Sequence, residues 1–193
     1  MKLSALHGAA LAPQLDAVAA LRIQVFRDWP YLYDGSLAYE RDYLGMYLRC
    51  PQSVVGIVEA DGRIVGATTA LPLEAAPAAM QAPFIARGEA PSAIYYLGES
   101  VLLPAYRGRG VGKAFFALRE ARARELGYAR SAFCAVERPA DHPLRPADYA
   151  GNAALWGRMG YQRQPHLACQ FEWQDLGQPR PDLKTLIFWT KTL

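Results

Sequence analysis

The stretch YRGRGVGKAFF, Tyr106 to Phe116, sets three glycines and three cations at the mouth of an apolar run. Ahead of it, AIYYLGESVLL reads as a strand, a short run of aromatic and aliphatic residues. Behind it, Val111, Ala114, Phe115 and Leu118 recur at i, i+3, i+4 and i+7, the period of an amphipathic helix. Glu120 and Arg124 stand at i, i+4 on that helix, and Gly127 supplies its stop. A strand that turns through glycines straight into a helix points to an α/β fold. It also makes an anion cradle: glycines let successive N–H groups aim at one point, and the helix N-terminus adds the positive end of its dipole.

The chain of 193 residues is long enough for one compact domain and short for two. Hydrophobic residues make up 52% and charged residues 20%, which suits a packed core rather than disorder. A formal net charge of +3 does not support a nucleic-acid partner. The cations cluster at Arg107, Arg109 and Lys113, then at Arg119, Arg122, Arg124 and Arg130, which fits a local anion site. Cys50, Cys134 and Cys169 show no C-x-x-C spacing, so neither a disulfide framework nor a metal site is expected, and a cytoplasmic location is the default. MKLSALHGAALAP lacks the pattern of a signal peptide, and no run has the length of a membrane-spanning helix.

Along the chain, Leu3 to Ala10 reads as a short first strand, and LDAVAALRIQVFRDW after Pro13 as an irregular amphipathic helix. WPYLYDGS breaks it, and LAYERDYLGMYLRC forms a second helix that ends before Pro51. SVVGIVEADGRIVGATTALPL reads as a hairpin around Asp61-Gly62. EAAPAAMQAPFIARGEAPS, rich in Ala and Pro, reads as a connecting loop with at most one helical turn. After the glycine turn and its helix come a strand in YARSAFCAV, a proline-rich loop in ERPADHPLRPADY and a short helix in NAALWGRMGY closed by Gly160. HLACQFEW and TLIFWTKTL are two further strands. This order argues α/β with a mixed sheet.

Three phosphate-binding patterns compete for the glycine turn. The nucleotide P-loop fails, because Arg107 stands at its first glycine and Ala114 replaces the magnesium-binding hydroxyl. The dinucleotide fingerprint fits Gly108 and Gly110, but Lys113 occupies its third glycine. The third pattern, Arg/Gln-x-x-Gly-x-Gly/Ala, fits Arg107, Gly110 and Gly112. With VLLPAY ahead of it, the stretch resembles the acetyl-coenzyme A motif of the GNAT acyltransferase superfamily. The helix pair before the hairpin, the strands flanking the motif helix and the late W-x-x-x-G-Y helix follow the family's order as well. The resemblance implies a single domain over residues 1–193, with a mixed, mostly antiparallel central sheet flanked by helices. It further implies transfer of an acetyl group from acetyl-coenzyme A to a primary amine by direct attack in a ternary complex. The alternative is a non-catalytic acyl-coenzyme A binding or sensing module.

On that resemblance, N–H groups around Gly108, Arg109, Gly110, Val111, Gly112 and Lys113 would wrap the diphosphate. Leu102 and Leu103 would offer main-chain groups to the pantetheine arm, while Arg107 and Arg109 either face phosphate or are solvated. An acceptor ammonium with a pKa near ~10.4 must lose a proton, which costs roughly 4–5 kcal/mol at neutral pH. Glu99, in the strand before the motif, is the candidate base, and strand parity decides which face it occupies. Where the family often has a tyrosine to protonate the thiolate, this chain has Trp156, so Tyr149 or Tyr161 is left for that role; Trp156 itself packs on the cofactor arm or in the core. Asn152 reads as a helix N-cap and secondarily as a cofactor contact.

The segment between the first two helices offers Trp29, Tyr31, Tyr33, Asp34 and Tyr39, aromatics around an acid that suit a cationic amine. Each is also explained by packing under a loop. His142 is a second candidate base. Ser100 in GES lacks the second glycine of a nucleophile elbow. The partner expected is a small-molecule or peptide amine. A homodimer is left open through the apolar last strand, TLIFWTKTL.

Overall fold

The apolar runs with β-branched and aromatic residues assemble into one seven-stranded sheet. The computed structural model describes residues 1–193. Its strands are β1 (Lys2–Leu6), β2 (Val54–Ala60), β3 (Arg63–Pro72), β4 (Tyr95–Leu102), β5 (Arg130–Val136), β6 (Gln162–Trp173) and β7 (Asp182–Thr192). Its helices are α1 (Leu15–Phe26), α2 (Leu37–Arg49), α3 (Ala78–Ile85), α4 (Val111–Glu125) and α5 (Ala153–Arg158). The strand order is β1-β2-β3-β4-β5-β7-β6, and only β4–β5 is parallel. No helix is long and apolar enough to cross a membrane.

Helices cover both faces of the sheet. Val18 of α1, Leu44 and Tyr47 of α2 and Phe84 of α3 pack with Val55, Ile57, Tyr96 and Phe188 on one face. On the other, Phe116 and Ala123 of α4 meet Val54, Leu97, Phe133 and Tyr161, while Val111 and Phe115 meet Val58 and Val65. Helix α4 starts beside its glycines and ends in a Schellman motif: Tyr128 N donates to Ala123 O at 2.9 Å and Gly127 N to Arg124 O at 3.0 Å. Helix α5 closes the same way, through Tyr161 N to Trp156 O and Gly160 N to Gly157 O, both at 3.0 Å.

Four sequence expectations change. The first strand ends at Leu6, and Gly8–Gln14, with Pro13 inside, winds as a 3-10 helix ahead of α1. The Ala/Pro-rich segment contains α3, because Met80 and Phe84, one helical turn apart, both reach the core and Phe84 meets the Phe188 ring edge-on at 4.9 Å. Strand β6 begins at Gln162 and carries Pro165 within a register shift between Gln164 and Ala168, tolerable because β6 is an edge strand. The apolar last strand, β7, lies between β5 and β6, so neither of its edges is open to a second chain.

Two irregularities of β4 shape the molecule. Thr68 of β3 faces Ser100 and Ala70 faces Leu97, so Gly98 and Glu99 together oppose the single residue Thr69. This is a β-bulge, and it reverses the alternation of side chains beyond it. Leu97 faces α4, yet both Gly98 and Glu99 face α1 and α2. A Cβ at Gly98 would collide with the Tyr47 hydroxyl and Thr69 Oγ1, so any larger residue must displace one of these side chains. The bulge is held by Thr69 Oγ1, which accepts from Glu99 N at 3.2 Å. Thr68 Oγ1 and Arg119 Nη1 donate to Glu99 O at 2.8 and 3.3 Å. Secondly, β4 pairs with β5 only at Tyr95↔Ser131 and Tyr96↔Ala132, so its edge from Leu97 onward has no strand beside it.

Gly98→Ala is expected to destabilise the protein by about 1–3 kcal/mol, the usual cost of overpacking. Urea unfolding followed by circular dichroism measures it, and a midpoint equal to the parent's would show that Tyr47 does not constrain the bulge.

Candidate active site

The turn from β4 into α4 leaves its backbone donors unused. Gly108 and Gly110 have φ of +76° and +82°, a region costly for residues bearing a Cβ. That geometry points the N–H groups of Gly108, Arg109, Gly110, Val111, Gly112 and Lys113 away from any acceptor in the chain; the first bond of the helix is Ala114 N to Gly110 O at 3.2 Å. No acid stands in the first turn of α4 and none caps it. Arg107, Arg109 and Lys113 are exposed and have no carboxylate partner. Arg107 Nε donates to Leu102 O and Arg109 Nη2 to Ala105 O, each at 3.1 Å, which braces the turn. A Cβ added at Gly108 or Gly110 meets nothing within 4 Å, so no other part of the chain crowds these two glycines. The region is an electropositive nest whose free N–H groups and cations suit a phosphate-bearing group such as that of coenzyme A.

Leu103 is committed to the fold: its N–H donates to Val65 O at 2.9 Å and its carbonyl accepts from Tyr106 N at 3.0 Å. Alternation along β4 turns the main chain of Leu102 to the open side, where its carbonyl meets Arg107. Of the two leucines, Leu102 is the one whose main chain faces the gap between β4 and β5.

Glu99, three residues before Leu102, projects into a pocket between α1, α2 and the sheet, with a cavity volume of ≈ 80 Å³. Its walls are mostly aromatic, with Tyr31, Tyr33, Tyr43, Phe171 and Trp173 among them. Arg22 of α1 lies against Glu99 Oε1 and also pairs with Glu40 of α2. The Arg22 guanidinium stacks on the rings of Tyr43, at 4.4 Å, and Phe26, at 5.0 Å. Burial alone would lower the Arg22 pKa, but Glu99, Tyr43 and Glu40 outweigh it and hold the group charged, well above the ordinary value. Tyr43 donates to Glu99 Oε2 at 3.3 Å. Arg119 is buried, and desolvation lowers its pKa to about 10, so it is still a cation at neutral pH where it grips the bulge carbonyl.

The remaining expected residues are scattered. Tyr31 and Tyr33 line the pocket; Trp29 and Asp34 do not. Trp29 packs on His142 at 4.9 Å and on Tyr149 at 5.9 Å, and Tyr149 stands outside the wall around Glu99. Asp34 faces Arg27 at 3.4 Å near solvent. Asn152 occupies the N-cap of α5, but its side chain makes no capping bond. Trp156 lies among Phe133 and Trp189, 5.1 Å from each, and the neighbouring Leu155 flanks Gly112. Tyr161 is buried on the α4 face, bonded to Ser131 Oγ at 2.8 Å and Glu120 Oε1 at 3.2 Å.

Sequence reasoning missed Arg22, Glu40, Tyr43 and Arg138, and it grouped Arg119 with the cations of the anion site, whereas Arg119 is buried against the bulge carbonyl. The first two carry a readable signal, a cation and an acid set on the apolar stripes of adjacent helices, Val18–Arg22–Val25 and Glu40–Leu44–Tyr47. Arg138 has none. It meets Asp175 through two bonds of 2.7 and 2.8 Å and donates to Pro30 O and Tyr31 O, fixing the loop that presents Tyr31.

The chain's sequence matches the acetyltransferase (GNAT) family over residues 19–146, more than half its length. No curated protein matches it in sequence. Among solved structures, it superposes on a ribosomal-protein-alanine N-acetyltransferase from Brucella melitensis with a TM-score of 0.65, 17% identity and full coverage of both chains. A polyamine N-acetyltransferase from Drosophila melanogaster gives 0.60 at 14% identity, again over the whole of both chains. The PaiA N-acetyltransferase from Thermoplasma acidophilum, solved in complex with coenzyme A, gives 0.57 at 11% identity and complete coverage. At these identities the superpositions carry the fold alone, and the family match carries the assignment. The nest at the head of α4, the gap beside β4 and the match across residues 19–146 agree: the chain belongs to the acetyltransferase (GNAT) family.

Proposed function

We propose that the protein is an N-acetyltransferase that transfers the acetyl group of acetyl-coenzyme A to a primary amine by direct attack in a ternary complex. The observation that carries this reading is the path of β4, which delivers Glu99 to the pocket and then, past Leu102, feeds the nest at Gly108–Lys113. Acetyl-coenzyme A, when bound, supplies an activated thioester. The N–H groups of the nest bind its diphosphate, with Arg107, Arg109 and Lys113 adding charge. The open edge of β4 at Leu102 orients the arm toward the pocket. Glu99 Oε2 takes the proton of the acceptor ammonium, directly or through a water, while Arg22 and Tyr43 fix the carboxylate. A thiol with a pKa near ~8.5 leaves without a protein acid at neutral pH, so the displacement of Tyr149 from the pocket wall is consistent with turnover. Three unpaired cysteines suit a reducing compartment, and a cytoplasmic location is part of the proposal.

One observation favours a second reading. Both oxygens of Glu99 already have partners, Arg22 and Tyr43, as expected of a structural carboxylate in a non-catalytic acyl-coenzyme A sensor.

Glu99→Gln separates the two. For the enzyme, thiol release at neutral pH should fall by roughly 10²–10³, the contribution of a general base, while acetyl-coenzyme A affinity measured by calorimetry stays within about twofold. The residual rate should climb with pH toward the amine's own pKa, near ~10.4. A parent protein that binds acetyl-coenzyme A and turns over no amine would establish the sensor instead. Gly110→Asp puts a carboxylate into the nest and is expected to weaken acetyl-coenzyme A binding by roughly 100-fold, about 2.7 kcal/mol; unchanged calorimetric affinity would move the diphosphate elsewhere. Tyr149→Phe should leave kcat within about twofold, whereas a drop of tenfold or more would make Tyr149 the proton donor to the thiolate.

A further inference from the structure

We propose that the acceptor is a lipophilic primary amine with one positive charge and no carboxylate, an aryl- or alkylamine. This rests on the acetyl-transfer reading of the same pocket. The charged residues in the pocket wall are Arg22, Glu40 and Glu99. Glu40 is sealed, with 0% of its side chain exposed, and is matched to Arg22. Arg22, 7% exposed, is consumed: two carboxylates take its polar edge and the rings of Tyr43 and Phe26 take its faces. Within the wall one cation stands against two carboxylates, the nearby buried Arg119 being taken up by the carbonyls of Phe115 and Glu99, and of the two acids Glu99, 8% exposed against 0% for Glu40, is the one an amine can meet. A single ammonium completes that balance.

Other amine classes do not match these walls. An amino acid brings a carboxylate that finds no free cation here and loses its hydration without return. A polyamine brings further ammonium groups with no second accessible acid in the pocket. A groove that shares Tyr39, Tyr43 and Phe171 with the pocket lies between α2 and the segment Ala75–Pro77 ahead of α3, and its charged residues are one acid, Asp42, and one base, Arg49. That groove is balanced and offers no net attraction to a second ammonium. The aromatic walls favour an apolar body, and ring faces also stabilise a nearby cation.

The test compares 2-phenylethylamine, L-phenylalanine, which adds only a carboxylate to the same skeleton, and spermidine. Thiol release from acetyl-coenzyme A gives kcat/KM for each, and fluorescence titration of the protein saturated with coenzyme A gives binding without turnover. The expected result is a kcat/KM for 2-phenylethylamine at least 100-fold above the other two, with saturable binding of that amine alone. Equal or better turnover of L-phenylalanine or spermidine would overturn the acceptor class and leave acetyl transfer standing. Binding of 2-phenylethylamine with no turnover of any amine would support the pocket's preference and overturn acetyl transfer. Absence of both binding and turnover would overturn the proposal. Phe171→Arg places a free guanidinium at the mouth of the pocket. It is expected to cut the binding preference for 2-phenylethylamine over L-phenylalanine at least tenfold, and an unchanged preference in the folded variant would remove the missing cation as its cause.

Discussion

The bulge at Gly98–Glu99 is the constraint on which the site depends. Without it, period-2 alternation would send Glu99 to the α4 face, beside Leu97 and the apolar cluster under α4. One inserted residue moves the carboxylate to the α1/α2 face and leaves Val101 facing the core on that side. Its cost is a disturbed ladder, and the main-chain groups of Glu99 are recovered: Thr69 takes the N–H, Thr68 and Arg119 take the carbonyl. The same strand parts from β5 after Tyr96, so the carboxylate and the open edge stand side by side.

Arg22 links the bulge to the helices. A buried guanidinium between two carboxylates is a weak source of net stability, since desolvation offsets most of the Coulomb gain. Its effect here is on placement. It ties Glu99 to α1 and, through Glu40, to α2, so the carboxylate has one orientation rather than several. Arg138 does the same for the far wall: bonded to Asp175, it holds the carbonyls of Pro30 and Tyr31, and Trp173 Nε1 adds a third bond to the Tyr31 carbonyl at 3.0 Å. A pocket of aromatic side chains is thereby built on charged groups that are largely buried.

What could be read from the residues was local. The Asp61-Gly62 hairpin turn has positive φ at both positions, 51° and 72°, as its sequence demands, and Gly127 and Gly160 end their helices. The Ala/Pro-rich segment misled because composition outweighed the Met80–Phe84 spacing, which becomes decisive only once the sheet is there to bury both. The last strand misled for a similar reason: an apolar run announces burial but not whether its neighbours come from the same chain.

The anion nest was determined by the sequence itself, because positive φ at Gly108 and Gly110 and six idle N–H groups follow from consecutive residues at one helix start. The direction of Glu99 was not. It depends on how β4 pairs with β3, whose Thr69 lies 30 residues earlier, and on an arginine contributed by a helix that nothing local connects to either strand. Backbone geometry within a turn is a short-range property; strand register and the pairing of buried charges exist only after distant segments have packed.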